Sequence, residues 1–158
     1  MGRFHYKESV GDDLFRRSIY AFWRRSVAPT AFFDASKRRT CQVRTIRTNT
    51  PLHALTLLND KSVLASSYHL AKLTLNRPSD DSDRIRWLCR QILSRTPTDR
   101  EVAVVKDELQ GLRTYYQNEV LEAENLLVPL EPLTVGGAPR PDVPASELAA
   151  WLLTASTL

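Results

Sequence analysis

From position 85 to position 93 the apolar residues Ile85, Leu88, Cys89, Ile92 and Leu93 fall at i, i+3, i+4, i+7 and i+8. Only a helical repeat brings those positions onto one face, because the backbone turns once every 3.6 residues or so. Leu64, Tyr68, Ala71 and Leu75 keep the same spacing. So do Val102, Val105, Leu109, Leu112 and Tyr116, and later Leu148, Trp151, Leu152 and Ala155. A chain with this succession of one-sided segments folds as a mainly α domain, with helical hairpins where the connections are short. Its 158 residues are one domain's worth of chain and enough to bury a substantial core.

The starts and stops of the helices are written beside the apolar stripes. In "RTNTPLHALTLLND" (47–60), Thr50 is a good N-cap and Pro51 falls at the first helical position, where its missing N–H is no loss. Leu52, Leu55 and Leu58 then make one stripe, expected to be buried. Asn59 and Asp60 interrupt it, and Asp60 caps the next helix; so short a turn predicts an antiparallel hairpin. "NRPSDDSD" (76–83) closes that helix, and Ser82 or Asp83 caps the third. Pro97 ends the third, and Thr98 with Glu101 forms a T-x-x-E capping box for the fourth. Gly111 weakens the fourth by about 1 kcal/mol relative to alanine. "EVLEAENLLV" (119–128) reads as a fifth, shorter helix. Residues 129–144 hold five prolines and two glycines and read as a long connector. The helix over 145–158 stops without a cap, a glycine or a polar tail, so it reads as truncated and the domain as incomplete.

The front of the chain differs. In "LFRRSIYAFWRRS" (14–26) Ser18, Tyr20 and Phe22 alternate with Ile19, Ala21 and Trp23, which favours a strand, with "TCQVR" (40–44) as a candidate partner in a small N-terminal β-hairpin. Helical spacing can also be drawn through Phe15, Ile19, Phe22 and Trp23. The organisation expected is therefore a basic aromatic segment over 1–46, a helical region over 47–128, the connector over 129–144 and the last helix. Charge follows the same division. Residues 1–50 carry eleven Lys or Arg against four acids, a balance of +7; residues 51–100 give +3 and residues 101–158 give −6. A basic front fits an acidic surface, the chain's own back half included. Arginines interleaved with Tyr20, Phe22, Trp23, Phe32 and Phe33 would also suit single-stranded nucleic acid. No RNP, helix-turn-helix or zinc-finger signature accompanies them, so nucleic acid is the weaker reading.

Little else speaks of chemistry. There is no H-E-x-x-H, G-x-S-x-G, phosphate-binding glycine loop or C-x-x-C, and no haem attachment motif, so no cofactor is expected in this chain. His5, His53 and His69 lack a third partner for a metal site. "DDSD" (80–83) is better explained by helix capping than by calcium. Cys41 and Cys89 fit two independent thiols better than a disulfide. "MGRFHYKESVGDD" has no apolar core of a signal peptide, and nowhere is there a run of about eighteen apolar residues able to span a membrane.

"RRSIYAFWRRS" followed by "FDASKRRTCQVRTIRTNTPLHALTLLND" resembles the marker segment of a bacterial family, domain of unknown function 1553. The matching positions are Arg16, Arg17, Tyr20, Phe22, Trp23, Phe33, Asp34, Cys41, Arg44, Arg47, Thr48, Asn49, Thr50, Pro51, Leu52, Leu55, Leu58, Asn59 and Asp60. "SRTPTDRE" and "ELAAWLL" are similar to weaker family motifs. His53 departs from the usual glutamine. The family pattern also extends further at both ends, so the chain looks like the later portion of a larger domain.

The resemblance implies a setting. Such domains are abundant in planctomycetes and stand at the C-terminal end of large exported proteins, often with a haem-binding cytochrome c-like domain upstream. An exported or periplasmic location is therefore expected, with any haem belonging to an upstream domain. The expected role is a non-enzymatic scaffold or interaction module contacting other domains of its parent or a neighbouring protein. Arg44, Arg47, Asn49, Thr50 and Asp60 would organise a polar junction. The alternative is a glycan-binding or polysaccharide-degrading domain, in which Asp34, Arg47, Asn49 and His53 line a cleft beside Trp23 and Phe33. The resemblance carries no catalytic residue with it.

Overall fold

The structure, a computed structural model, describes residues 51–134 and 138–158, without the side chains of Leu52, His53 and Thr56. The expected β-hairpin and the Cys41 thiol lie outside the described residues. Within them the chain is mainly α, with six helices, one 3-10 turn and no strand. The helices are α1 (Pro51–Asn59), α2 (Lys61–Leu75), α3 (Asp81–Leu93), α4 (Asp99–Asn118), α5 (Val120–Leu127) and α6 (Ala145–Thr157). The 3-10 turn, Glu131–Thr134, lies in the connector.

α1 begins at Pro51, as the proline predicts. Asn59 then bonds back to the Leu55 carbonyl through Nδ2 at 2.7 Å, and Asp60 takes an extended conformation as the only residue between α1 and α2. Its carboxylate accepts the N–H groups of Ser62 and Val63, two donors that a helix start leaves without partners. Two leucines of the α1 stripe are not buried as expected: Leu55 and Leu58 are 57% and 45% exposed. The reason is geometric. Among the described helices α1 packs chiefly on α2, whose own apolar face is turned toward α6 and the 3-10 turn.

Two further boundaries differ from the sequence reading. The cap of α3 is Asp80, whose carboxylate accepts the Asp83 N–H at 3.0 Å, rather than Ser82 or Asp83. That earlier start puts Asp81 in the first turn, where it meets Arg113. At its other end α3 stops at Leu93, before Pro97 acts; Ser94 takes the left-handed conformation, φ 55°, and closes the helix. The capping box of α4 is complete: Glu101 N–H donates to Thr98 Oγ1, and Thr98 N–H donates to Glu101 Oε2.

The core gathers around α6. Leu148, Ala149, Ala150, Trp151, Leu152, Thr154 and Ala155 are buried, so this helix is covered nearly all round by α2, α4 and α5. The sequence showed one face; the small alanines on the others admit neighbouring helices closely. Tyr68, Ala71 and Leu75 of α2, Ile85, Leu88 and Cys89 of α3, and Val102, Val105, Leu109 and Tyr116 of α4 join it in one buried cluster. Each fully buried leucine or isoleucine contributes about 1.5–3 kcal/mol. The buried hydroxyls of Thr74 and Thr154 donate to the Leu70 and Ala150 carbonyls one turn back, so neither is left unsatisfied.

The connector is held to the bundle. Leu130 and Thr134 are buried, Asn76 Nδ2 donates to the Pro139 carbonyl at 3.0 Å, and Arg140 pairs with Glu131 at 2.7 Å.

Candidate functional site

Of the residues expected to form a polar junction or cleft, Trp23, Asp34, Arg44, Arg47, Asn49 and Thr50 lie outside the described residues. His53 is in the first turn of α1, with its side chain also outside them. Asp60 is described, and its carboxylate is taken up by the start of α2. The Asn59–Asp60 pair is therefore punctuation between helices: one residue ties down the end of α1, the other opens α2.

Three polar or concave features remain. The first is a knot of charge around Arg113 in α4. Its Nε and Nη2 donate to the two oxygens of Glu147 in the first turn of α6, and Nη1 and Nη2 donate to Asp81 at the start of α3. Both pairings are bidentate, the geometry in which a guanidinium binds a carboxylate best. Glu147 also accepts the indole N–H of Trp151 at 2.9 Å. The hydrogen bonds to Glu147 and then to Asp81 hold the Arg113 pKa well above its ordinary value, and Arg113 in turn holds the Asp81 carboxyl below its own. Both carboxylates stand at helix N-termini, where negative charge is favoured.

Sequence reasoning missed this knot, although a signal was present. Arg113 follows Leu109 by four and precedes Tyr116 by three, so it sits on the apolar stripe of α4. A charged residue on a core-facing stripe calls for a partner.

The second feature is Lys72 in α2, only 5% exposed. Its ammonium donates to Thr134 Oγ1 at 3.3 Å and lies 4.9 Å from the ring centre of Tyr68. Burial lowers its pKa, while the nearby Glu131 carboxylate raises it. His69, beside it in sequence, is also lowered, first by burial and then by the Lys72 charge. The lysine stem fastens the connector to α2.

The third is a cleft of about 340 Å³ between the end of α3, the start of α4 and the end of α6. Leu93, Pro97, Val104 and Val105 are among its walls, and Cys89 is on its floor. Burial raises the Cys89 pKa, which keeps the thiol neutral. At the rim Arg95 and Glu101 form a bidentate pair at 3.0 and 2.6 Å. Leu93, expected on the core side, is 39% exposed here. No group of three or more potential metal ligands occurs among the described residues, and no described helix is long and apolar enough to cross a membrane.

No curated protein and no solved structure matches the chain. The model of the family PSD1, "Protein of unknown function (DUF1553)", matches residues 3–109, about two thirds of the chain. The match takes in the polar marker segment, α1 to α3 and the capping box of α4; it ends within α4, ahead of Arg113 and the central helix α6. The chain belongs to the DUF1553 family.

Proposed function

We propose that the chain is a non-enzymatic helical scaffold or protein-interaction module of a larger, exported protein. The observation that supports this reading best is the destination of its charged groups. Arg113, Asp81 and Glu147, each no more than 25% exposed, bind one another and so join α3, α4 and α6. Groups arranged this way position helices. The exposed leucines of α1, Leu55 and Leu58, lie within the marker segment and offer an apolar face to another domain of the parent or a neighbouring protein. The exported or periplasmic setting, and a haem domain upstream, rest on the family resemblance alone.

The test uses Arg47→Ala and Asn49→Ala in the full chain. Each is followed by near-ultraviolet circular dichroism through a thermal melt, with Trp23, Trp87 and Trp151 as reporters. A scaffold role predicts one cooperative transition in the parent chain and a fall in melting temperature of several degrees in each variant, since about 1 kcal/mol corresponds to roughly 2–4 °C at this size. Variants that melt with the parent would place these side chains in a ligand site and overturn the reading.

A further inference from the structure

The short helix α5 is apolar on two faces. Ala123 and Leu127, four apart, are buried in the bundle. Leu121 and Val128, seven apart, share the outward face, where they are 69% and 63% exposed. Tyr115, also exposed, lies beside them, because its hydroxyl donates to Glu122 and so ties the end of α4 to α5.

The same corner is acidic. Glu119, Glu122 and Glu124 are exposed, and none is in an ion pair among the described residues. Between Arg113 and Arg140 the sequence has no lysine or arginine to offset them. Apolar side chains set among uncompensated carboxylates fit a segment that carries large apolar groups and arginines together.

The chain itself holds such a segment. Upstream of α1 two long stretches lack an acid, 14–33 and 35–50. The second sets its bases beside Cys41, Val43 and Ile46. Only the first sets four arginines among Phe15, Ile19, Tyr20, Phe22 and Trp23, all within "LFRRSIYAFWRRS". Reach does not limit the choice. Residues 27–50 span up to about 80 Å when extended, whereas a helix of the length of α4 is about 30 Å long. Belonging to the same chain also gives the segment an effective concentration on the order of millimolar, so a contact too weak to hold a separate protein fills the site.

We propose that residues 14–26 dock on the outward face of α5 in the same chain, their aromatic side chains against Leu121 and Val128 and their arginines at Glu119, Glu122 and Glu124. This goes beyond the scaffold reading, and variants on α5 leave Arg47 and Asn49 untouched.

The experiment is amide hydrogen exchange of the full chain, read by mass spectrometry over residues 14–26 and over α6. Glu119→Arg with Glu124→Arg reverses two charges, and Leu121→Ser removes apolar contact at unchanged charge; both leave the bond between Tyr115 and Glu122 in place. Each is expected to speed exchange over 14–26 about tenfold, the order expected of one lost leucine contact or of two reversed charges. The amides of the buried helix α6 should exchange as in the parent, which shows the bundle intact. Asp83→Arg, a reversal on α3, should change neither segment. Rapid exchange over 14–26 in the parent, or exchange there that neither α5 variant changes, would overturn the proposal. So would protection that rises with protein concentration together with a dimer in sedimentation, because the segment would then lie on a second copy.

Discussion

Arg113, well along α4, places its Nε 2.8 Å from Glu147 Oε2 in the first turn of α6. The same guanidinium reaches Asp81 on α3 at 2.6 Å, so one side chain fixes the mutual placement of three helices. The three side chains are 17–25% exposed, more enclosed than a surface pair but not dry. Removing Arg113 leaves two carboxylates facing each other without their cation. Arg113→Ala is expected to cost about 2–3 kcal/mol, between the values for exposed and fully buried pairs. Arg86, whose partners Asp83 and Asp99 are largely exposed, should lose less than about 1 kcal/mol on the same substitution. Urea unfolding of the two variants checks the ranking; equal losses would mean that the knot holds nothing together.

The position of the α3 cap gives a second contrast. Asp80 accepts the Asp83 N–H, whereas the Asp83 carboxylate stands 69% exposed and 3.7 Å from Arg86. Asp80→Ala should destabilise by about 1 kcal/mol. Asp83→Ala should cost only about 0.2–0.5 kcal/mol, the value of an exposed pair on one helix. Midpoints from chemical denaturation distinguish the two. A larger loss at Asp83 would restore one of the two caps, Ser82 or Asp83, that the sequence alone offered.

That contrast shows what the sequence could and could not convey. Apolar spacing located α2, α3, α4 and α6 because a one-sided helix repeats its burial every three or four residues. Thr98 and Glu101 located the start of α4, because a capping box is a local pairing of two side chains. The choice among Asp80, Ser82 and Asp83 was not local. Asp81 meets Arg113, thirty-two residues away, and the helix start that allows this makes Asp80 the cap. The central place of α6 was equally out of reach. Ala149, Ala150 and Thr154 look neutral in a sequence, and only three neighbouring helices make them interior. The candidate site was the least legible part. The cleft draws on α3, α4 and α6, and no motif spans those segments.

Acid should separate the α3–α4 turn from the rest of the bundle. Hydrogen bonds from Arg95, and then from the N–H and hydroxyl of Thr98, hold the Glu101 carboxyl at about 2, against an ordinary 4.5. A carboxyl lowered by folding stabilises the fold fully above its unfolded value and loses that contribution as pH falls from about 4.5 toward about 2. Asp81, lowered by Arg113, acts in the same direction below its ordinary 3.8. Denaturant midpoints measured from neutral pH down to about 2 should therefore fall. Glu101→Gln keeps an acceptor for Thr98 but cannot titrate, so its curve should be flatter through that window. An unchanged slope would assign the acid sensitivity to other carboxylates.

Two backbone positions offer stability that the native side chains forgo. Gly111 lies inside α4, and a Cβ placed there would meet nothing within 4 Å. Gly111→Ala should raise stability by about 0.5–1 kcal/mol, since alanine restricts the unfolded chain and adds no clash. Ser94 presents the opposite case. Its φ of 55° is a conformation a side chain makes costly and glycine adopts freely, so Ser94→Gly should gain by a comparable amount, less the entropy of a freer unfolded chain. The positions lie on different elements, so the double variant should show nearly the sum. At about 2–4 °C per kcal/mol the combined rise in melting temperature is readable in a single scan. Ser94→Ala provides the internal control, because it keeps the β-carbon and should gain nothing. If Ser94→Ala and Ser94→Gly move the melt equally, the serine hydroxyl and not the left-handed backbone sets the behaviour of the α3 terminus.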